Sequence, residues 1–487
     1  MATLAQALTQ GLHHHQTGQL SRAEQIYRQI LAQQPVHADA LHLLGALALQ
    51  TGRRDEAVRL LEQAVAADPT IAVYHGNLAS AYLTASRYED AHAALQQAIR
   101  RDPAFVEAYY NLGVTLYNLG RLDEAVAAYR HCLELRAGNA SAHGNLGDLL
   151  RELGQSDQAL EHLEQALAAQ PELPNAHYNR ALVLLSLGRL AEGWDEYEWR
   201  WRCREFTRRS LAQPAWNGSP LVDQTLLIHA EQGLGDTIQF LRYLPLVRQR
   251  CGNVLVEIQA NLVPLFEHSG FSGLIAQRAA LPHFDVQLPM ISLPHIFGTT
   301  LETIPAAGPY LKAKPELVNA WREKLSCYSQ FKVGIVWQGS PSYREDRYRS
   351  IPLPFFAPLA QVPGVQLFSL QKGPGSEQLS MLHRAFHVVD LGSNIDTQSG
   401  PFMDSAAIMK NLDLVITSDT ASAHLAGALG VPVWVALRIA PDWRWLTERA
   451  DSPWYPSMRL FRQKQFGDWP GVFGKMADEL RRMVHVV

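Results

Sequence analysis

The residues of this 487-residue chain that could do chemistry gather where short apolar runs end. The clearest case is Leu414-Val-Ile-Thr-Ser418-Asp419-Thr420-Ala421-Ser-Ala-His424-Leu-Ala-Gly427. An apolar strand there ends in Ser418, Asp419 and Thr420 and opens directly into a helix of small residues. The free N–H groups of a helix start, joined by the Thr420 hydroxyl, would hold a pyrophosphate. His424 follows one helical turn later and can add a donor. The plainer reading is an ordinary helix cap, for which Asp and Thr are common choices, with His424 as a satisfied core histidine.

Three further places share this strand-end character. In Glu231-Gln232-Gly233-Leu234-Gly235-Asp236, two glycines let a loop approach a ligand closely, and Asp236 caps the following helix. Glu257 lies about where a ribose-binding acid would follow a dinucleotide loop, but Ile238 stands at the third glycine position of that fingerprint. In Trp337-Gln338-Gly339-Ser340-Pro341, a glycine turn precedes Arg344, Arg347 and Arg349, a combination suited to a diphosphate; a solvated basic loop is the alternative for Arg344 and Arg347. In Ser369-Leu-Gln-Lys372-Gly373, Lys372 could reach a phosphate.

The elements that must position these residues read as two α/β units. In the first, Thr225–His229 and Asn253–Ile258 are strands, and 236–250 and 262–269 are helices. In the second, strands fall at 332–337, 365–370, 388–390, 412–417 and 431–437, and helices at 353–361, 402–411, 422–430 and 471–485. Such alternation predicts parallel sheets, with ligands outside the carboxyl ends of the strands.

The first two-fifths of the chain is different. Ala23, Ala57, Ala91, Ala125 and Ala159 recur at one spacing, as do Gly18, Gly52, Gly120, Gly154 and Gly188. Pro35, Pro69, Pro103 and Pro171 keep the same beat. Small residues where two helices cross, a glycine ending the first helix and a proline after the second follow the tetratricopeptide (TPR) pattern of paired antiparallel helices. Six units fit, over about 4–37, 38–71, 72–105, 106–139, 140–173 and from 174 onward. Asn77, Asn111, Asn145 and Asn179 recur at one phase of the first helix. An amide there offers a donor and an acceptor to an extended peptide backbone; it can equally bond within the array. Trp194, Trp199 and Trp201 at the array's end suggest a face packed on the next domain, or a capping helix.

The predicted organisation is a TPR array over 1–207, a linker over 208–220 and two Rossmann-like domains over 221–325 and 326–487. A net charge of −4 argues against a non-specific nucleic-acid binder. The four cysteines are scattered and suggest neither a zinc site nor a disulfide framework. The first residues carry no basic and apolar leader pattern, and the most apolar run, 425–437, is short for a membrane helix and contains Pro432. A soluble protein of a reducing cytoplasm is expected, with oligomeric state open.

Asp419-Thr-Ala-Ser-Ala-His424 followed by Ala428-Leu-Gly-Val-Pro432 resembles the nucleotide-sugar motif of heptosyltransferase-like glycosyltransferases, with Ala421 where that family usually has glycine. The resemblance covers about 213–487 and implies the GT-B fold of two facing Rossmann domains. It implies that Asp236 is the catalytic base, with Glu231 in reserve. Gln232, Gly235, Gln338, Gly339, Arg349 (at the place of a phosphate-binding lysine), Lys372, Ser418, Asp419, Thr420, Ala421 and His424 would then bind the donor. The array resembles that of O-GlcNAc transferases, where an asparagine ladder holds acceptor polypeptide. The combination looks like bacterial TPR-glycosyltransferases. No DxD motif stands in a suitable setting, and Asp442-Trp-Arg-Trp445 reads as a cleft-edge loop. The expectation is therefore an inverting transferase needing no metal or cofactor beyond its nucleotide diphosphate sugar, acting on a protein acceptor. Two alternatives stay open: the same chemistry on a saccharide or lipid-linked acceptor, or a non-catalytic scaffold with a degenerate nucleotide-binding module.

Overall fold

The computed structural model describes residues 3–342, 346–382, 385–391 and 395–484. The chain divides into two compact units, residues up to 151 with 155–179, and residues 152–154 with 180 onward.

The first unit is a helical repeat. Its helices run in antiparallel pairs: Leu4–Gln16 with Leu20–Gln33, Ala38–Gln50 with Arg54–Ala67, Ala72–Thr84 with Tyr88–Arg101, Val106–Asn118 with Leu122–Leu135, and Ala140–Glu152 with Ser156–Ala169. Ala23, Ala57, Ala91, Ala125 and Ala159 are fully buried, because a larger side chain would push the paired helices apart. Their first-helix counterparts are small for the same reason. A Cβ on Gly113 would lie 2.5 Å from the Tyr129 ring, and one on Gly45 would lie 2.7 Å from Leu61. The first helices of five repeats end on glycines with φ between 74° and 79°. The third repeat places Ser86 there instead, at φ 58°. The sixth pair, Pro174–Ser186 and Leu190–Tyr197, starts in this unit and finishes in the second. Its second helix is short and tightens into a 3₁₀ turn, Glu198–Arg202.

The second unit holds two sheets. The first contains β1 (Leu221–His229), β2 (Cys251–Ile258), β3 (Leu274–Ala276) and β4 (Val286–Pro289), in the order β3-β2-β1-β4. The second contains β5 (Phe331–Val336), β6 (Val365–Ser369), β7 (Val388–Asp390), β8 (Leu414–Ser418), β9 (Val433–Leu437) and β10 (Met458–Arg462), in the order β10-β9-β8-β5-β6-β7. Every strand pair is parallel. Counted from its own first strand, the second sheet has the order 3-2-1-4-5-6 of a doubly wound fold, and its strand order reverses outward from β5 and β8. The core beneath it joins Ile335, Trp337, Ile416 and Trp434 to Phe356 and to the closing helix Trp469–Val484, whose Phe473 ring lies 4.4 Å from that of Phe356.

Several elements differ from the sequence expectation. The helix expected over 236–250 is Leu234–Phe240, a 3₁₀ turn at Leu241–Tyr243 and a separate helix Leu244–Arg250. Pro245 has no N–H to continue the ladder and its ring crowds the carbonyl one turn back. Pro354 and Pro358 divide 353–361 in the same way. The short strands β3, β4 and β10 went unpredicted. Their alternation is too brief to register, and pairing with neighbours defines them.

Candidate functional site

The loop after β1 carries the first group. Asp236 lies in the first turn of Leu234–Phe240, and its carboxylate accepts from the Gly233 N–H at 2.7 Å. Its other oxygen accepts from the Arg444 guanidinium. Burial pushes the Asp236 carboxyl above its ordinary range; Arg444 opposes this, Asp442 adds to it, and the Gly233 N–H opposes it. Glu231 sits in a buried ion pair. Both of its oxygens accept from Arg200, at 3.1 and 3.3 Å, and one also accepts from the Ile291 N–H at 3.0 Å. These bonds make Glu231 an anchor for the loop and leave it poorly placed as a reserve base. Gln232 donates to the Tyr197 hydroxyl, and its carbonyl accepts from Gln259. Glu257, which the dinucleotide reading requires free for a ribose, is buried and paired with Arg209.

The strand end after β8 carries the second group. Thr420 starts helix Ala421–Ala428 in an extended conformation, but its side chain makes no capping bond. Its hydroxyl lies 3.2 Å from that of Thr417. The plain capping role is thus not the one the Thr420 side chain takes, and the helix start is not closed by it. Ser418 is fully buried, and its hydroxyl has no partner among the described residues. Asp419 keeps part of its surface open yet is densely surrounded; burial pushes its carboxyl up to about 6, with Asp442 adding and Arg349 opposing. His424 is buried, with Nδ1 2.9 Å from the Tyr455 hydroxyl and its ring 5.2 Å from that of Trp445. Burial holds its imidazole well below the ordinary histidine range, and Arg444, Arg242 and Arg349 push the same way. His424 is therefore neutral at neutral pH, able to hydrogen-bond but not to bring a charge.

These two groups meet. A Cβ on Gly235 would lie 2.8 Å from His424 Cδ2 and 3.5 Å from Ala421 Cα. Only a glycine lets the helix after β1 approach the helix after β8 so closely. Arg444 ties the junction. It is buried, bonds both Asp442 oxygens at 2.9 and 3.0 Å, reaches Gln239 Oε1 at 2.5 Å and pairs with Asp236. Its guanidinium also lies over the Trp443 ring. Arg242 makes a second tie, donating to the Trp454 carbonyl and lying over Tyr455. Among the described residues, the buried Ser418 hydroxyl and Gln239 Nε2 of these same segments find no hydrogen-bond partner, while Trp445 lies close enough to Asp419 to steady its carboxylate. Sequence reasoning read 442–445 as a cleft-edge loop and missed Arg444, Gln239, Arg242 and Tyr455. An arginine between two tryptophans was the available signal, since aromatic neighbours accompany a desolvated cation.

The loops after β5 and β6 complete the set. The Trp337 and Gln338 N–H groups donate to Gln371 Oε1, and Gln371 donates back to the Gln338 carbonyl. The Gln338 side chain accepts from Gln378. Gly339 donates to Ser350 Oγ, and Ser350 and Arg349 both donate to the buried Asp346. A Cβ on Gly339 would lie 2.5 Å from Asp346 Oδ1, so this glycine is set by packing. Arg349 is close enough for its charge to bear on Asp419 and His424. Lys372 is turned elsewhere: its ammonium donates to the Ile395 carbonyl at 2.8 Å and to Asp396 at 3.3 Å. A phosphate contact by Lys372 would have to replace those bonds. Arg344 and the Arg347 side chain lie outside the described residues.

In the first unit the recurrent asparagines are half-buried. Asn77 Nδ2 lies 2.6 Å from His42 Nε2, Asn111 donates to Ser80 Oγ, and Asn145 donates to the Tyr110 and Tyr129 hydroxyls. Three of the four amides thus bond within the array through nitrogen. Asn179 shares the phase. Among the described residues, no three His, Cys, Asp or Glu side chains are grouped to hold a metal ion, and no helix is long and apolar enough to cross a membrane.

Residues 14–80, 77–140 and 128–161 match profiles described as tetratricopeptide repeat, and 147–188 match one described as TPR repeat. The N-terminal part is therefore a TPR helical array. Protein FlbA of Caulobacter vibrioides is 28% identical over 322 residues, covering 60% of this chain and 52% of FlbA. That stretch is longer than the repeat-matched residues, so the likeness runs beyond the array; the chain spans about half the length of FlbA. Among solved structures, MamA is 26% identical over 33% of this chain and 95% of its own, at a TM-score of 0.31. YrrB, described as a TPR protein with an unusual peptide-binding site, is 24% identical over 37% of this chain and 93% of its own, at 0.33. TTC0263, a TPR protein of Thermus thermophilus, is 23% identical over 38% of this chain and 100% of its own, also at 0.33.

Proposed function

We propose that the chain is an inverting, metal-independent glycosyltransferase that moves a sugar from a nucleotide diphosphate sugar to a polypeptide recruited by its TPR array. One observation carries this reading: Gly235 lets the short helix that bears Asp236, after the first sheet's β1, pack directly on His424 and the uncapped helix start of the second sheet. Asp236 takes the proton of an acceptor hydroxyl, whose oxygen attacks the anomeric carbon. The bond from that carbon to the diphosphate breaks on the opposite face. The departing charge is met by the N–H groups at the start of Ala421–Ala428 and by Arg349. The buried Ser418 hydroxyl supplies one more unpartnered group beside that helix start.

A second reading, a non-catalytic nucleotide-binding module, draws on the fact that both Asp236 oxygens are already engaged, by Gly233 and by Arg444. One experiment separates the two. Purified chain is screened against nucleotide diphosphate sugars by thermal shift, since a ligand of the folded state raises its midpoint. The best donor is then tested for turnover with Asp236→Asn alongside. Binding with turnover that Asp236→Asn abolishes supports the transferase. Binding without turnover favours the module, and no nucleotide binding at all removes both.

A further inference from the structure

Between the array's last turn and β1 the chain runs through Arg202-Cys-Arg204-Glu205-Phe-Thr-Arg208-Arg209, four arginines to one glutamate in a chain whose net charge is −4. Arg204, Arg208 and Arg209 are exposed. The place of this strap is fixed at its far end, where Arg209 pairs with the buried Glu257 near the carboxyl end of β2. The charges of Arg208 and Arg209 both bear on His229, the last residue of β1. His229 and Glu257 sit opposite one another in the parallel register, and Ala230 then leads into the loop that ends at Asp236. The strap therefore crosses the carboxyl edge of the first sheet, beside the loop of the candidate base. Open α/β sheets take their ligands at this edge. Arg209 answers a charge within the fold. Arg204 and Arg208 are exposed, and the planar paired donors of a guanidinium match a carboxylate.

We propose that Arg204 and Arg208 dock acidic side chains flanking the acceptor residue, so that the polypeptide acceptors of this chain are acidic around the modified position. The inference rests on the polypeptide-transferase reading for its meaning, but its test does not need turnover. Fluorescence anisotropy of the full chain is measured with two labelled peptides, serines flanked by glutamates and serines flanked by glutamines. The Arg204→Glu/Arg208→Glu and Arg204→Gln/Arg208→Gln variants are measured beside it. Both positions are exposed, and equal thermal midpoints confirm that folding is unchanged. The glutamate peptide is expected to bind about fivefold to tenfold more tightly at low salt, with the preference shrinking as salt is added. The glutamine variant should lose that preference and the glutamate variant should reverse it. Equal binding of the two peptides, a preference that survives both variants, or strap-dependent binding only to phosphatidylserine vesicles overturns the proposal. An acidic preference in a chain that binds no nucleotide would leave the strap standing and remove the transferase.

Discussion

At the scale of single residues, the candidate base is governed by an opposition. Burial raises the Asp236 carboxyl, and the Arg444 guanidinium, itself buried, opposes it. Catalysis by a carboxylate base requires its ionised form, so activity should rise with pH along a limb set above the ordinary carboxylate range. Replacing Arg444 by glutamine removes the opposing charge, so this limb should move to higher pH, while Arg444→Lys should move it less. The rate profile against pH checks this, and an unmoved limb under Arg444→Gln would show that Asp236 is not the titrating base. The same variant leaves Asp236 and Asp442 without their shared cation, which should cost about 3–5 kcal/mol of stability. His424 shows what only distant residues decide at this scale. Its position one turn into a helix was legible, but its neutrality follows from burial beneath Gly235 and from three arginines, two of which come from distant segments.

At the scale of elements, two glycine positions give opposite predictions. The repeat helices end on left-handed glycines, and Ser86 occupies that conformation in the third repeat with a Cβ that the region disfavours. Ser86→Gly should stabilise the array by about 0.5–1 kcal/mol, relief of the left-handed strain outweighing the added freedom of the unfolded chain. An unchanged or lower midpoint in thermal unfolding would contradict it. Gly235 works the other way. Its conformation is ordinary, but a methyl there meets the His424 ring, which Tyr455 and Trp445 hold in place. Gly235→Ala should therefore cost about 1–3 kcal/mol by overpacking, measured as a lower urea midpoint, and should weaken nucleotide binding by parting the two helices. The repeat helices could be read from sequence because their periodicity is local. The helices within 236–250 and 353–361 are shorter than the apolar pattern predicts because prolines cut hydrogen-bond ladders that the pattern alone continues.

At the scale of the whole molecule, acid should destabilise this protein through its histidines. His42, held down to about 4 by burial, is joined by His75, His92, His162, His229 and His424, all lowered. Below the ordinary histidine value near 6.5 the unfolded chain takes up protons that the folded chain refuses, so stability is lost as pH falls through that value. Asp419 has the opposite sign. Raised to about 6, it is protonated in the folded chain first and adds stability as pH falls below that. The six histidines outweigh the single proton that Asp419 takes up, so the midpoint should fall continuously as pH drops from neutrality through 6. Thermal unfolding across this range checks it, and a midpoint that climbs on acidification from neutrality would refute the assignment.

The sequence by itself determined what depends on neighbours along the chain: the repeat and its glycine-ended helices, the change to alternating strands and helices, and the polar residues at strand ends. Helix periodicity, turn preference and strand length are local, so they are written in consecutive residues. Only the tertiary structure decided what depends on meetings across the chain. It gave the order of the two parallel sheets, the contact of Gly235 with His424, the pairing of Asp236 with Arg444, and the burial of Glu231 against Arg200. It also turned three recurrent asparagines toward preceding side chains of the array. The physical reason is common to all of these. A buried charge or amide must find its partner in space, and nothing in the local pattern states which distant segment supplies it.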